Sequence, residues 1–295
     1  MRSTVFPHRV LPYLLIAPSA ILVIIFFIVP SVQGLQLSFY RVHGFTGRRL
    51  FIEFENFTRL LNSEEYLNSV GITAVFVAAV VFFGLAVSLL LAVGASQPLR
   101  GFGVYRVLLI WPFALSPAIS GTIWALMADP TIGVLAVNLQ KVGIDLNYLS
   151  NGSHAVALII VAAVWKILGY NIVFFLAGLK NIPSEVMEAA ALDGANGWTR
   201  FRKMTFPLLS PTTLFLLVMN TLYACFETFG LIDIMTQGGP GRATNFLVYK
   251  LYKDGFVGGA THLGSAYAQS VLLLVFVAGL TLFQFRFAGR RTFYQ

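Results

Sequence analysis

Leu11 to Val29 is a run of 19 residues that carries no charge. It constrains the fold more than any other feature, because a hydrocarbon core of ~30 Å takes about 20 helical residues to cross. Similar apolar runs recur at about 70–93, 107–127, 155–179, 208–229 and 266–287, and the first extends to about residue 33. In lipid every backbone N–H and C=O must find its partner inside the protein, so runs of this length are read as helices. The expected architecture is all-α and integral to the membrane, with six transmembrane helices in a single domain over 1–295. Composition agrees, since only 11% of residues are charged where soluble domains carry roughly 25%.

Ala17-Pro18-Ser19-Ala20 offers the small residues of a signal-peptide cleavage site. The apolar run continues past it, so the segment is read as an uncleaved first span. Residues 34–66 mix Arg41, Arg48, Arg49 and Arg59 with Glu53, Glu55, Glu64 and Glu65. Within them, Phe51 to Phe57 alternates and is expected to be extended, followed by a surface helix. Ala74, Ala78, Gly84 and Ala86 in the second span suit close packing of helices in lipid. Pro112 and Pro117 interrupt the third span. They are either harmless kinks or the source of carbonyls that neighbouring helices or a water-lined cavity must satisfy. Residues 128–154, with Asp129, Lys141 and Asp145, are read as a polar loop.

Six spans put both termini on one side. That side carries eleven basic residues (Arg2, Arg9, Arg100, Arg106, Lys180, Arg200, Arg202, Lys203, Arg286, Arg290 and Arg291) against three acidic ones, Glu185, Glu188 and Asp193. The opposite side carries eight of each sign. Excess lysine and arginine mark the cytoplasmic side. Orientation therefore accounts for the net charge of +8 without nucleic acid. A single cysteine, Cys225, leaves no disulfide framework, and His8, His43, His154 and His262 lack metal-ligand spacing. No G-x-x-x-x-G-K-[ST] or G-x-S-x-G occurs, so neither a P-loop nor a nucleophile elbow is expected and no catalytic residue is named.

The longest strongly basic polar interruption lies between the fourth and fifth spans, from Ile182 to Pro211. Ser184 is expected to be an N-cap, with Glu185 and Glu188 near the positive end of the dipole. Gly194 tolerates the positive φ that ends a helix. Trp198, Phe201 and Met204 then alternate with Arg200, Arg202 and Lys203, and Pro207 suits the first turn of a new helix. On these residues alone the stretch is either an amphipathic loop in the headgroups or a docking element. Glu188-Ala189-Ala190, three residues, Gly194, nine residues, and Met204-Thr205-Phe206-Pro207 resemble the EAA loop of ABC importer permeases of the carbohydrate-uptake family. Met204 and Phe206 depart conservatively from its pattern.

The resemblance implies a type I ABC importer permease fold in the inner membrane with both termini cytoplasmic. It makes 182–206 a coupling loop that docks on a cytoplasmic ATPase, with Glu188, Ala189, Ala190, Asp193, Gly194 and Pro207 as its positions. It also implies a second permease subunit as heterodimer partner, two ATPase subunits and a periplasmic solute-binding protein. No cofactor is implied on this chain, because ATP and magnesium act on the partner ATPase.

Ionisable groups at mid-membrane are costly and mark candidate sites. Lys166 and Tyr170 are i, i+4 in the fourth span, and Asn220, Tyr223 and Glu227 are i, i+3, i+7 in the fifth, so each set is expected on one face. Lys166 either pairs with Glu227 or lines a polar cavity. In ABC carbohydrate permeases the corresponding two helices hold substrate, and Lys166 and Tyr170 fall on such places. Short runs, among them Ser116-Pro117-Ala118, Tyr170-Asn171, Tyr249-Lys250 and Ala268-Gln269-Ser270-Val271, resemble the glycerol phosphate importers of that family. The implied cargo is sn-glycerol-3-phosphate or a related glycerophosphodiester, with a neutral sugar as the alternative. From a different class, an ion-coupled secondary carrier would use Lys166 and Glu227 as a relay.

Single cysteines placed within 182–206 should react with an impermeant maleimide only after the inner membrane is permeabilised, whereas those within 34–66 should react from outside. The reverse pattern would overturn the orientation.

Overall fold

The computed structural model describes residues 10–42, 48–96, 102–257 and 263–287. Arg2, Arg9, Arg100, Arg290, Arg291, His8, His43 and His262 lie outside the described residues. The chain divides into two compact units, 1–63 with 251–272 and 64–250 with 273–295. Each is taken in turn.

In the first unit, helix α1 (Leu11–Leu37) is long and apolar enough to cross a membrane. None of its residues is buried, and its middle, Ile24–Ile28, is wound as a π turn. A two-stranded antiparallel hairpin follows, β1 (Tyr40–Val42) with β2 (Arg49–Phe51), in the register Tyr40 to Phe51 and Arg41 to Leu50. The extended piece expected over Phe51 to Phe57 stops at its first residue. Glu53 takes φ 50°, which breaks the alternation, and helix α2 (Glu55–Leu61) has already begun. Buried Asn56 donates to the carbonyls of Ser38 at 2.8 Å and Tyr40 at 3.1 Å, fixing α2 to the hairpin.

In the second unit, α3 (Glu64–Ala95) and α7 (Gly152–Lys180) pack along each other, between α4 (Phe102–Ala114), α5 (Pro117–Met127), the short α6 (Val134–Lys141) and the later helices. Their contact is built from small and β-branched residues, with Val80, Ala92, Ile159, Ala162 and Ala163 fully buried. Of the four small residues expected to pack in α3, Gly84 is buried, Ala86 half-buried, and Ala74 and Ala78 exposed.

The third span is not one helix. Val107–Ala114 and Pro117–Met127 meet at 111°. Proline restricts the residue before it to extended conformations, and Ser116 sits at φ −67°, ψ 154°. Its hydroxyl caps the new helix by accepting from Ile119 N at 3.2 Å. Pro112 stays inside α4, so of the two prolines only Pro117 stands at the break. The expected loop 128–154 contains α6, and Asp129 closes the turn before it. Its carboxylate accepts from Thr131 Oγ1 and from the backbone of Thr131 and Ile132. Those bonds hold the carboxyl below its usual range.

After α7 come α8 (Ser184–Leu192), α9 (Gly197–Leu208) and α10 (Ser210–Glu227). Helices α9 and α10 meet at a bend of 65°, which falls at the expected start of the fifth span near 208. Helices α11 (Phe229–Met235) and α12 (Leu247–Tyr252) precede the last, α13 (Leu263–Phe287). Among the described residues, four unbroken helices and two bent pairs are long and apolar enough to correspond to the six apolar runs.

At Gly169 the backbone of α4 lies close against α7. A methyl added there would lie 2.7 Å from Ile110 Cα and 2.8 Å from Leu109 O. Backbone cannot yield as a flexible side chain can, so Gly169→Ala should cost roughly 1–3 kcal/mol. Gly71→Ala meets nothing within 4 Å and should be neutral or slightly stabilising. Thermal unfolding of both variants in detergent checks this, and equal melting temperatures would refute it.

Candidate functional site

Two regions hold the predicted residues. In the first, α8 ends in a Schellman motif. Ala195 N donates to Ala190 O at 3.0 Å and Gly194 N to Ala191 O at 3.1 Å, with Gly194 at φ +77°. A glycine is needed there because a Cβ disfavours the left-handed region. Two details of the expectation are corrected. Pro183, not Ser184, occupies the N-cap, with no side-chain capping bond, since Ser184 is already in helical conformation. Glu188 is the fifth residue of the helix, so only Glu185 lies in the first turn where the dipole acts.

Ala190 is buried, and Met187 Sδ lies 4.0 Å from the hydroxyl of Thr205 in α9, so one face of α8 is taken. Glu188, Ala189, Asp193 and Gly194 lie exposed, beside Leu192, which is 89% exposed, and Trp198, at 68%. Asn196 caps α9 by accepting from Thr199 N at 2.8 Å. Pro207 stands half-buried in the last turn of α9, beside the bend into α10.

The second region joins α7 and α10. Asn171 and Asn220, both fully buried, exchange amide bonds at 2.9 and 2.8 Å, and Asn220 also donates to Leu216 O at 2.7 Å. Tyr223 is buried and donates to Ala163 O at 3.4 Å. Both predicted residues therefore serve contacts between helices. Lys166 is 6% exposed. Its ammonium donates to Phe113 O at 3.4 Å and lies 5.6 Å from the centre of the Phe113 ring.

No ion pair joins Lys166 to Glu227. The Glu227 carboxylate lies within electrostatic range of Lys166, Tyr170 and Tyr223, and is exposed. Half-buried Tyr170 packs with tilted rings between Phe113 at 5.3 Å and Phe174 at 4.8 Å. The face expected to hold Asn220, Tyr223 and Glu227 is broken, because Tyr223–Glu227 is a π turn. Its extra residue rotates Glu227 out of the α register of Asn220.

Sequence reasoning missed Asn171 as the partner of Asn220, and Phe113 as the partner of Lys166. It also missed the tryptophans beside them. Trp165 makes edge contacts at 5.8 Å with both Trp111 and Trp124. An asparagine in the middle of each of two apolar runs was the available signal for the amide pair.

Long apolar and broken helices that hold an ammonium and an amide pair between them fit a multi-pass membrane protein. The family model described as "Binding-protein-dependent transport system inner membrane component" matches residues 8–292, and the chain belongs to that family. It is thus a multi-pass inner-membrane transport component and not an enzyme. The chain is 49% identical to the sn-glycerol-3-phosphate transport system permease protein UgpA of Rhizobium meliloti (strain 1021), over 100% of both chains. It is 43% identical to the UgpA of Yersinia pestis, over 97% of this chain and 96% of that one. A chain of a bacterial ABC transporter involved in the import of the acidic polysaccharide alginate shares its fold. That match has a TM-score of 0.82 and 23% identity, over 95% of each chain.

Removing one amide of the Asn171–Asn220 pair leaves the other buried without its partner, which costs ~1–3 kcal/mol. Asn171→Leu and Asn220→Leu should each destabilise the protein and lower uptake, and the double variant should recover both. Thermal unfolding together with uptake decides between roles. Recovered stability without recovered uptake would assign Asn220 to the substrate instead.

Proposed function

We propose that the chain is the permease subunit through which an ATP-driven, binding-protein-dependent ABC importer moves sn-glycerol-3-phosphate, or a related glycerophosphodiester, across the inner membrane. The observation that carries the reading is Lys166, an ammonium buried near mid-span and held by a carbonyl and a ring face, with no carboxylate in contact. Such a charge is disfavoured by several kcal/mol unless compensated, and a phosphate compensates it. The relatives aligned over the full chain carry that cargo by name.

In this reading Lys166 takes the phosphate, while Tyr170 and Glu227 present polar groups to the diol. Asn220 and Tyr223 set the spacing of the two helices. Both termini face the cytoplasm. There the exposed residues of α8, Glu188 and Ala189, dock on one of two ATPase subunits, while Ala190, Asp193, Gly194 and Pro207 shape the loop. A second permease subunit completes the pore, and a periplasmic binding protein delivers cargo. No cofactor belongs to this chain, because ATP and magnesium act on the partner. Closure of the ATPase dimer turns the cavity from one side of the membrane to the other as a rigid-body transition.

The tryptophans around Lys166 favour a second reading, a neutral sugar stacked on aromatic faces. The same assay separates the two. Lys166→Ala should abolish sn-glycerol-3-phosphate uptake by the assembled importer, and Lys166→Arg should keep part of it, since charge survives while geometry changes. Lys166→Ala with Glu227→Ala should stay inactive. Recovery in that double variant would mean the lysine serves only Glu227 and would overturn the phosphate role.

A further inference from the structure

The second unit contains a cavity of about 290 Å³ that does not include Lys166. Its lining comes from the first two turns of α3, with Glu64, Glu65, Asn68 and Ser69, and from the loop after α11, with Arg242 and Asn245. Glu65 is already neutralised. One carboxylate oxygen accepts from Arg242 Nη1 at 3.1 Å, and the other from Lys250 Nζ at 3.2 Å and Asn245 Nδ2 at 3.5 Å. Two cations already sit on that carboxylate.

Two polar atoms are left over. Asn245 is 2% exposed and its Oδ1 has no partner, and Ser69 is 1% exposed with its Oγ unpartnered. Buried polar atoms are seldom left so. Here both line the same cavity, whose size exceeds the ~30 Å³ share of one water several-fold. Arg242 is different. Its side chain is 65% exposed, and a guanidinium with N–H groups to spare suits a phosphate. Its backbone, at φ +68°, is set by Asn245 N, which donates to Arg242 O at 3.1 Å.

We propose that this cavity is a second binding site on the chain, for a polyol phosphate monoester. A hydroxyl of the ligand donates to Asn245 Oδ1, another exchanges with Ser69 Oγ, and the phosphate lies at the rim on Arg242. The site rests on the cargo reading above and adds a station distinct from Lys166. Glu65 shares Arg242 with the ligand and keeps Lys250 as its own cation, so the guanidinium can turn its remaining N–H groups to the anion, while the second carboxylate of the lining, Glu64, lies exposed to solvent.

The test uses the assembled importer in proteoliposomes, with Cys225→Ser and a single Asn68→Cys at the exposed cavity position. Maleimide labelling is timed with sn-glycerol-3-phosphate, with glycerol and with inorganic phosphate. The first should slow labelling at concentrations well below those the other two require. Ser69→Ala should raise the half-protecting concentration about five-fold, the equivalent of one hydrogen bond. It should leave the melting temperature unchanged, because its hydroxyl has no partner to lose. Arg242→Gln should remove the preference for the phosphate over glycerol.

Absence of protection would overturn the site. So would protection unaltered by both substitutions, since the effect would then arise from binding elsewhere. Uptake of labelled sn-glycerol-3-phosphate by the same vesicles judges the cargo separately. Uptake without protection rejects only this site, and protection without uptake rejects only the cargo.

Discussion

The amide pair between Asn171 and Asn220 is the interaction on which the second unit depends. Each side chain is fully buried, and each donates to and accepts from the other. In an apolar interior such a pair is either complete or costly, because a lone amide there finds no water. Completeness fixes the rotation of α7 against α10, and with it what the neighbouring turns present. Gly84 of α3 lies against the pair, where an added methyl would stand 3.0 Å from Asn220 Oδ1. Three long helices are thereby referred to one polar contact.

The breaks follow from the same requirement. Helix is the state that satisfies its own backbone, so a chain in lipid leaves it only where something else takes over. At Ser116 a hydroxyl takes over. At Phe113 the lysine does, its ammonium meeting a carbonyl near the end of α4, the negative end of that helix's dipole. The bend that Pro117 imposes and the placement of Lys166 in the middle of α7 are thus one arrangement. The π turn at Tyr223–Glu227 acts in the same sense, turning the carboxylate away from the register of the buried asparagine.

The exposed loop works by other means. Ala190 and Met187 secure α8 to α9, while Glu188 and Leu192 are left outward. The proposed docking on a partner would call for a rigid attachment and an open face. The Schellman motif at Gly194 supplies the first, by fixing the angle at which the chain leaves the helix.

Much of this was legible in the sequence. Charge-free runs near 20 residues admit only helix in lipid, Gly194 admits the turn, and the Glu188 to Pro207 spacing carries the family. The candidate site was legible only in part. Lys166 and Tyr170 could be named because a charge in an apolar run has to be explained. Which partner it takes could not, since Phe113 lies 53 positions away and offers a carbonyl that every residue possesses. Asn220 and Glu227 looked alike by spacing, yet one is sealed against Asn171 and the other lies exposed. Periodicity assumes one winding, and the π turn between them changes it. Composition and spacing determine which segments are helices and where a polar group must find a partner. The choice of partner belongs to the packed structure, because it depends on bends and rotations that local sequence does not encode.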